Sequence, residues 1–494
     1  MNVRKHIVLA IVALAALVLV LFVLWPARID DEVKVIRLIG EALPPLEALE
    51  ALSTKFTEET GISVIVEQYA AQEVHQKVMS DVVAGTGTFD LVLQPHKHLG
   101  RLVDAGYLIS LGGLGQSLPI SSPEFDPYSD LFSNWWQEIS CYDGQVYGVP
   151  FSALTMYLWY RKDLFDDARE QASFQEKYGY PLQVPEYWDQ YKDIAEHFTR
   201  PSGDLYGTAI QGKRHDALWY EFLNFLYSFG GNILNTEHGW EYGDIIINSP
   251  QAIAALQYYS DLVRFSPPGT LNYTWDDALA AMQQKKIAMV IMWNDSTYAV
   301  EYSDDSLVAG NMGFAMIPKS RDYDRRVGQL EGWSYLIPKS SPNPDAAIRF
   351  VAWMMKPSNQ VEQHLNGGAS ALKSTYDDSR VQQLTYTTAS LETMAAAIAK
   401  PTIPEGPEMT EILTRELSLA LARQKSPQEA LDRTAVSGEL VIDTSRNKPI
   451  CCNPRLTRPN SPCMRRRQIR PTVTGARTTG REINATQGRR HGPV

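Results

Sequence analysis

The stretch from Tyr147 to Phe165, YGVPFSALTMYLWYRKDLF, decides how the rest of the chain is organised. Gly148 and Pro150 interrupt regular structure at its start, and residues 155–160 then form an apolar, aromatic run that is typical of a buried strand. Arg161–Asp163 turn the chain towards a helix. The pattern predicts a strand that carries the chain from one compact lobe to another.

The length and charge of the chain narrow its class. At 494 residues it exceeds what one hydrophobic core usually holds, so we expect two lobes or domains. The net charge of −11 is uneven: residues 446–494 hold 12 Lys and Arg and one acid, Glu482, which leaves 34 basic and 56 acidic side chains in residues 1–445. An acidic body argues against nucleic acid as a partner. The basic tail, residues 446–494, lacks periodicity and is predicted to be disordered, with a contact to anionic lipid or nucleic acid as the alternative.

The N-terminal segment has the pattern of an export signal. Arg4 and Lys5 precede Ile7–Trp25, nineteen residues without a charge, which predicts that the body lies outside the cytoplasm. Residues 1–28 fit either a signal peptide or an uncleaved anchor, because the apolar run is long for a signal peptide and nearly spans a bilayer. Cys141 is the first Cys and is alone in residues 1–445, so neither a lipid-modified cysteine before it nor an internal disulfide in this part is expected.

Between residues 33 and 66 the sequence switches between strand and helix patterns. Residues 33–39 alternate like a strand that leads to Glu41, residues 46–59 carry apolar side chains at helical spacing, and residues 62–66 form a second short strand. This β-α-β order favours a parallel sheet covered by helices, and hence an α/β fold. Ligands of such sheets gather outside the carboxyl ends of the strands, which makes Glu41 a candidate for a binding cleft.

The next strand, residues 89–93, is flanked by polar residues. Residues 85–88, Gly-Thr-Gly-Thr, precede it, whereas a phosphate-binding loop follows its strand and opens a helix, so this is not a nucleotide motif. Gln94, His96 and His98 come after the strand. A metal site at the two histidines needs further ligands that the sequence does not supply, so we expect them at the surface or at the rim of a cleft, and we expect no metal and no other cofactor.

Several segments resemble one family. The stretch quoted above is similar to the crossover of the extracellular solute-binding proteins (family 1) of ABC importers, in particular to the type that binds sugars and polyols. The turn Gly85–Asp90 is also similar to that family, and Ile287–Asp295 and Glu331–Pro338 resemble its second and third crossings. The resemblance is nearly continuous from Val33 to about Met355.

The resemblance implies a type II periplasmic-binding-protein fold, in which crossover strands join two α/β lobes and a ligand cleft lies between them. It places residues 33–149 and 291–330 in lobe 1 and residues 150–290 and 331–440 in lobe 2. It implies the substrate-binding component of an ABC importer, which captures a sugar or polyol by hinge closure and delivers it to permease subunits in the membrane. Such a protein is expected to be a monomer without enzymatic activity, in the periplasm or at the cell surface.

A site for sugars or polyols pairs aromatic faces with fixed hydrogen-bonding side chains, because these ligands carry hydroxyls on an apolar skeleton. The predicted ligand-binding residues are Glu41, Gln94, Phe151, Arg214, Trp293, Asn294 and Trp333. The three aromatic residues are predicted to be platforms and the four polar ones hydrogen-bonding partners. Packing in the hinge core is the alternative for Trp293 and Trp333, and a plain surface position is the alternative for Arg214.

Other functions stay open at this point. A carbohydrate hydrolase would use two carboxylates. The acids available for it are Glu41, Asp90, Asp295 and Glu331. Acids are expected in so acidic a body, however, and no Ser-His-Asp signature, zinc motif or nucleotide loop accompanies them. A membrane-anchored sugar sensor would differ in its partner. A charged ligand such as a glycerol phosphate also stays open, because Lys213 and Arg214 could face it.

Overall fold

The computed structural model describes residues 35–113, 119–121 and 126–447. The chain divides into two units after Ile442, and the architecture below belongs to the first. Of the second unit, only residues 443–447 are described, at the end of the last helix. The predicted export segment and all but the first two residues of the basic tail lie outside the described residues. Within the described ranges, no helix combines the length and the apolar character needed to cross a bilayer.

The strands form one large sheet and one small one. They are β1 (Val35–Glu41), β2 (Ser63–Tyr69), β3 (Leu91–Pro95), β4 (Gly112–Gly113), β5 (Cys141–Tyr142), β6 (Gln145–Val146), β7 (Gly148–Arg161), β8 (Met289–Trp293), β9 (Met312–Ala315), β10 (Gln329–Leu336) and β11 (Ile398–Ala399). The large sheet has the order β2-β1-β3-β10-β7-β8, with β11 paired to β10 and β9 to β7, while β4-β6-β5 form the small sheet. β1 is parallel to both β2 and β3, which confirms the predicted α/β arrangement.

β7 is the strand that the stretch Tyr147–Phe165 predicts. It has 14 residues, and at about 3.3 Å per residue it spans about 45 Å. Residues 148–155 pair antiparallel with β10, and residues 156–161 pair antiparallel with β8 and β9. Because β10 also pairs with β3, these two strands connect the β1–β3 part of the fold with the β8–β9 part.

The helices fill the intervals between the strands. The α-helices are Pro44–Thr60, Ala71–Ala84, Leu99–Asp104, Pro127–Asp130, Ser133–Ser140, Lys162–Phe165, Ala168–Tyr178, Trp188–Phe198, Asp216–Ser228, Pro250–Leu262, Trp275–Gln283, Thr297–Glu301, Pro344–Met354, Pro357–Leu365, Ser379–Gln382, Thr387–Ala396, Gly406–Leu421 and Pro427–Asn447. Short 3-10 helices are His96–His98, Pro201–Gly203, Val263–Phe265, Thr270–Asn272 and Lys373–Asp377. The first helix shows why they begin and end where they do: proline opens it and Gly61, at φ 75°, ends it in the left-handed conformation.

The helix Pro44–Thr60 packs against a helix from much later in the chain. Phe56 lies edge-on to Phe350, with ring centroids 5.0 Å apart, and to Trp353 at 5.5 Å. These contacts place the helix Pro344–Met354 on the β1–β3 side of the fold. The predicted division into residues 33–149 with 291–330 and residues 150–290 with 331–440 stays a prediction, and the contacts of Phe56 argue for moving the helix Pro344–Met354 to lobe 1.

Trp135 provides a test of how the crossing is held. It is fully buried, and its Nε1–H donates to the carbonyl oxygen of Met394 at 3.0 Å. We expect Trp135→Ala to lower the free energy of unfolding by about 3–5 kcal/mol, because it leaves a cavity beside β7 and β10. The neighbouring Trp136→Ala should cost clearly less, because Trp136 is only partly buried. Urea unfolding followed by circular dichroism measures both variants, and equal losses would contradict this account.

Candidate functional site

A cavity of about 520 Å³ lies where several strand ends and helix starts converge. Its lining includes the end of β1, the ends of β3 and β8, and the middle of β10. The helices that begin at Asp216 and Trp275 close another side. The cavity thus lies at the carboxyl end of β1, where Glu41 was predicted to face a ligand. Its volume suits a small solute.

Four of the seven predicted ligand-binding residues line this cavity: Glu41, Arg214, Trp293 and Trp333. Glu41 ends β1, Trp293 ends β8, and Trp333 lies within β10. Trp293 and Trp333 are only 7% and 6% exposed, so each packs in the core and also contributes to the cavity wall. Arg214 is largely exposed, and its guanidinium pairs with the carboxylate of Glu411.

Gln94 and Asn294 are not on the cavity wall. Gln94 is 1% exposed, and its Oε1 lies 3.3 Å from Nδ1 of His75. Asn294 joins two strands: its Oδ1 accepts a hydrogen bond from the backbone N–H of Thr155 at 3.1 Å, and its Nδ2–H donates to a backbone carbonyl of β7 at 2.9 Å. Both amides therefore have structural partners, and their predicted contact with a ligand stays a prediction that this geometry does not favour.

Phe151 also lies away from the cavity wall. The pairing of β7 with β10 shifts by one residue between Trp333 and Ser334, which leaves Phe151 without a partner across the ladder. Such a β-bulge changes the direction of the side chains beside it. The Phe151 ring packs edge-on against Tyr335, with centroids 5.3 Å apart, so it contributes to the core, and its predicted role as a ligand platform stays a prediction that this geometry does not favour.

Two further aromatic residues complete the wall. Tyr220 lies edge-on to Trp293, with ring centroids 5.4 Å apart, and Trp275 lies edge-on to His215 at 4.8 Å. Both Tyr220 and Trp275 line the cavity. The sequence did not single them out, because an aromatic residue in an amphipathic helix is more typical of a core position.

Charged side chains around the cavity are only partly paired. The ion pairs are Lys97 with Asp216, Arg214 with Glu411, and the buried Lys400 with Glu331. Glu41, Asp276 and Asp295 also line the cavity, and none of these three carboxyl groups forms an ion pair with a cation in the described part of the chain. The described wall therefore carries an excess of carboxyl groups.

The unpaired carboxyl groups hold their protons more tightly than usual. Burial raises the pKa of Glu41 to about 8, with Lys97 opposing the shift and Asp295 adding to it. Burial also raises the pKa of Asp295 to about 6, although the hydroxyl of Ser296 donates to its Oδ1 at 3.1 Å. Near neutral pH, Glu41 is therefore mostly protonated and can both donate and accept hydrogen bonds.

Asp90, one of the acids considered for a hydrolase, is outside the cavity. It is 2% exposed, and its carboxylate accepts hydrogen bonds from the backbone N–H of Arg37 at 3.0 Å, the hydroxyl of Ser341 at 2.8 Å and the backbone N–H of Asn343 at 3.1 Å. Asp90 therefore holds the start of the helix Pro344–Met354 against the sheet and is not available to a solute.

The histidines after β3 divide between the wall and the core. His98 lines the cavity and stacks on His75, with ring centroids 3.9 Å apart. Burial lowers the pKa of both rings. His96 is 1% exposed and lies beneath the cavity floor, so the rim position expected for the pair fits only His98. Among residues 35–113, 119–121 and 126–447, no three His, Cys, Asp or Glu side chains are placed to hold a metal ion.

Comparison with known proteins shows the family. The sequence profile described as bacterial extracellular solute-binding protein matches residues 42–361, which is more than half of the chain. The chain therefore belongs to this family, as the crossover segments predicted. Because the family is extracellular, the protein is exported.

Individual relatives are more distant. A mannitol-binding protein from Pseudomonas aeruginosa is 27% identical over 312 residues, which cover 61% of this chain and 64% of that protein. A maltodextrin-binding protein from Bacillus subtilis is 24% identical over 391 residues, which cover 77% of this chain and 84% of that protein. The chain thus spans 64% of the length of the first relative and 51% of a similar binding protein from Brucella abortus.

Solved structures share the fold. An ABC-transporter solute-binding protein from Agrobacterium radiobacter, in complex with ribitol, superposes with a TM-score of 0.73 at 25% identity, covering 83% of this chain and 99% of that one. A maltose-bound protein from T. maritima superposes with a TM-score of 0.69 at 24% identity, covering 82% and 99%. The predicted two-lobe periplasmic-binding-protein fold is thereby confirmed.

The raised pKa of Glu41 predicts a pH dependence of stability. The unfolded chain releases this proton near pH 4.3, whereas the folded chain keeps it until about pH 8. The folded state therefore binds more protons between these values, and the stability contributed by Glu41 falls as the pH rises through this window. We expect Glu41→Gln to lose less stability than the parent between pH 5 and pH 8, measured by urea unfolding.

The matched control is Glu47→Gln, which removes an exposed carboxylate from the adjacent helix. This control should follow the parent at both pH values. An identical loss of stability in the parent and in Glu41→Gln would show that the proton of Glu41 is not linked to folding.

Proposed function

We propose that this protein is the substrate-binding component of an ABC importer and that it captures a neutral sugar or polyol in the 520 Å³ cavity. The observation that carries the proposal is the wall itself, in which Trp293 and Trp333 stand beside carboxyl groups that have no cationic partner among the described residues. Indole faces bind the C–H surface of such a solute, and carboxyl groups accept hydrogen bonds from its hydroxyls.

The charge of the wall supports a neutral solute over a phosphorylated one. Among the described residues, Lys97 and Arg214 are the cations that line the cavity, and each already pairs with a carboxylate. A phosphate group would have to displace Asp216 or Glu411 from these pairs and would then share the cavity with the displaced carboxylate. Like charges at close range in a partly buried site are unfavourable.

The proposed mechanism is hinge closure around the solute. The two long antiparallel strands β7 and β10 pass between the two parts of the fold, and Asn294 fastens β8 to β7 beside the cavity. Strands joined in this way flex as a unit and let the flanking lobes approach each other. The closed form would present a different surface to the permease subunits, so binding is reported to the membrane without any covalent step.

The proposal also specifies the class of solute, the location of the protein and its partners. The ribitol complex and the mannitol-binding relative support a small polyol as the solute. We propose that the exported chain works in the periplasm or at the cell surface as a monomer, with permease subunits as its partner and without a cofactor or catalytic activity.

A thermal-melt screen of the full chain tests the solute. D-mannitol, ribitol, maltose and D-mannitol 1-phosphate would be added at equal concentration, because a ligand of the folded state raises the melting temperature. We expect a rise with at least one neutral compound and none with the phosphate. A rise with the phosphate alone would contradict the charge argument, and a neutral sugar that is recovered hydrolysed would favour the hydrolase.

Substitution of the two indoles tests the wall. We expect Trp293→Ala and Trp333→Ala each to weaken binding of the neutral solute by about 1.4–2.8 kcal/mol, or roughly tenfold to a hundredfold, measured by titration calorimetry. Trp240→Ala is the control, because Trp240 stacks on His238 with centroids 4.4 Å apart and does not line the cavity. If both wall variants bind as tightly as the Trp240 variant, these rings are core residues only.

A further inference from the structure

Three buried ionisable side chains meet at the floor of the cavity: His96, Glu331 and Lys400. Their side chains are 0%, 3% and 0% exposed. They come from three separate segments, since His96 follows β3, Glu331 lies in β10, and Lys400 follows β11. Of the three, only Glu331 lines the cavity.

The carboxylate of Glu331 is buried and contacts two neighbours, Lys400 and His96. The ammonium of Lys400 contacts Oε2 of Glu331, and Nδ1 of His96 lies 3.0 Å from Oε1. Apart from these two neighbours, no group in the described part of the chain hydrogen-bonds to either oxygen. A carboxylate can accept about four hydrogen bonds. Glu331, which lines the cavity, therefore keeps acceptor capacity that the described part of the chain does not use.

Lys400 is enclosed on its other sides by aromatic faces. Its Nζ lies 4.4 Å from the ring centroid of Tyr220 and 5.2 Å from that of Trp219. Tyr220 lines the cavity above it. Lys400 itself does not line the cavity. Tyr220 and Glu331, both of which it contacts, do line it.

Stability alone does not explain why Glu331 and Lys400 form a buried ion pair. Removing two charges from water is costly, and a buried pair is often no more stable than apolar side chains of the same volume. The pair in this fold lies directly under a cavity whose walls suit a hydroxylated solute. A fixed, charged acceptor at that place would strengthen hydrogen bonds to hydroxyls, because hydrogen bonds to ionised groups are about twice as strong as neutral ones.

We propose that Glu331 is a solute-binding residue, which accepts hydrogen bonds from hydroxyls at the cavity floor, and that Lys400 is a positioning residue that acts only through Glu331. The inference rests on the proposed function, because it takes the solute to be a sugar or polyol. Nδ1 of His96 lies beside the second carboxylate oxygen.

The test is a double-mutant cycle on the full chain, with D-mannitol and ribitol as probes in titration calorimetry. We expect Glu331→Gln and Lys400→Met each to weaken binding by about tenfold to a hundredfold. The double variant Glu331→Gln with Lys400→Met should lose no more than Glu331→Gln alone, because Lys400 has no effect once the carboxylate is gone. Because it removes both buried charges together, the double variant can still be measured if a single variant, left with one unpaired charge, does not fold.

Lys425→Met is the matched control. Lys425 pairs with Glu416, another carboxylate that is 2% exposed but lies outside the cavity. This variant should lose stability without losing affinity, which is the behaviour that a purely structural role of Lys400 would produce. Affinity equal to the parent in the double variant, or losses that simply add, would overturn the inference.

A crystal structure of the native chain with D-mannitol or ribitol decides the question without any variant. A solute oxygen within hydrogen-bond distance of the Glu331 carboxylate supports the inference, and a bound solute that leaves this carboxylate uncontacted overturns it. If the native chain binds neither probe nor any other neutral sugar or polyol, the proposed function is wrong as well. If a solute binds without contacting Glu331, only this inference is wrong.

Discussion

The pairing of β7 with β10 on one half and with β8 and β9 on the other is the constraint on which the rest of the structure depends. Nearly every side chain of β7 is buried, so its backbone groups must find partners within the protein. They find them in strands that belong to both parts of the fold. Gly332 on β10 lets the helix Ser133–Ser140 pack close to the crossing, because a Cβ there would come within 2.4 Å of the end of the Ile139 side chain.

The alternation of side chains along the crossing strands then determines what the cavity contains. All four of these residues line the cavity: Glu331 and Trp333 are two residues apart on β10 and share a face, while Trp293 ends β8 and Asp295 lies in the turn after it. Asn294 lies between them in sequence and turns to β7 instead. One indole and one carboxyl group from each of two strands therefore meet at one place, which is the combination that a hydroxylated solute needs.

The same alternation explains how far the sequence could predict the structure. The strand-and-helix order, the long crossing and the family follow from local patterns that need no knowledge of distant contacts, and all three are confirmed. The platform role of Phe151 stays a prediction that the structure does not favour, because the bulge beside it shifts the pairing of β7 and Phe151 does not line the cavity. Pro150, which cannot donate to a ladder, was the available signal of such a bulge. Lys400 could not be found at all, because it reaches Glu331 only through the tertiary fold and lies in no recognisable motif.

The carboxyl groups of the cavity have different hydrogen-bonding partners in the empty protein and in the solute-bound protein. A buried carboxyl group without a cation is unfavourable in its charged form, so Glu41 keeps a proton near neutral pH. Hydroxyl groups that donate to Glu41 would favour its charged form, and binding would then be linked to release of a proton. Lys97 follows β3, and Asp216 begins the helix Asp216–Ser228. These two side chains form an ion pair with each other at the cavity wall. What is left unsatisfied on this wall is acceptor capacity, and a neutral solute with several hydroxyl donors is the chemical complement of that deficit.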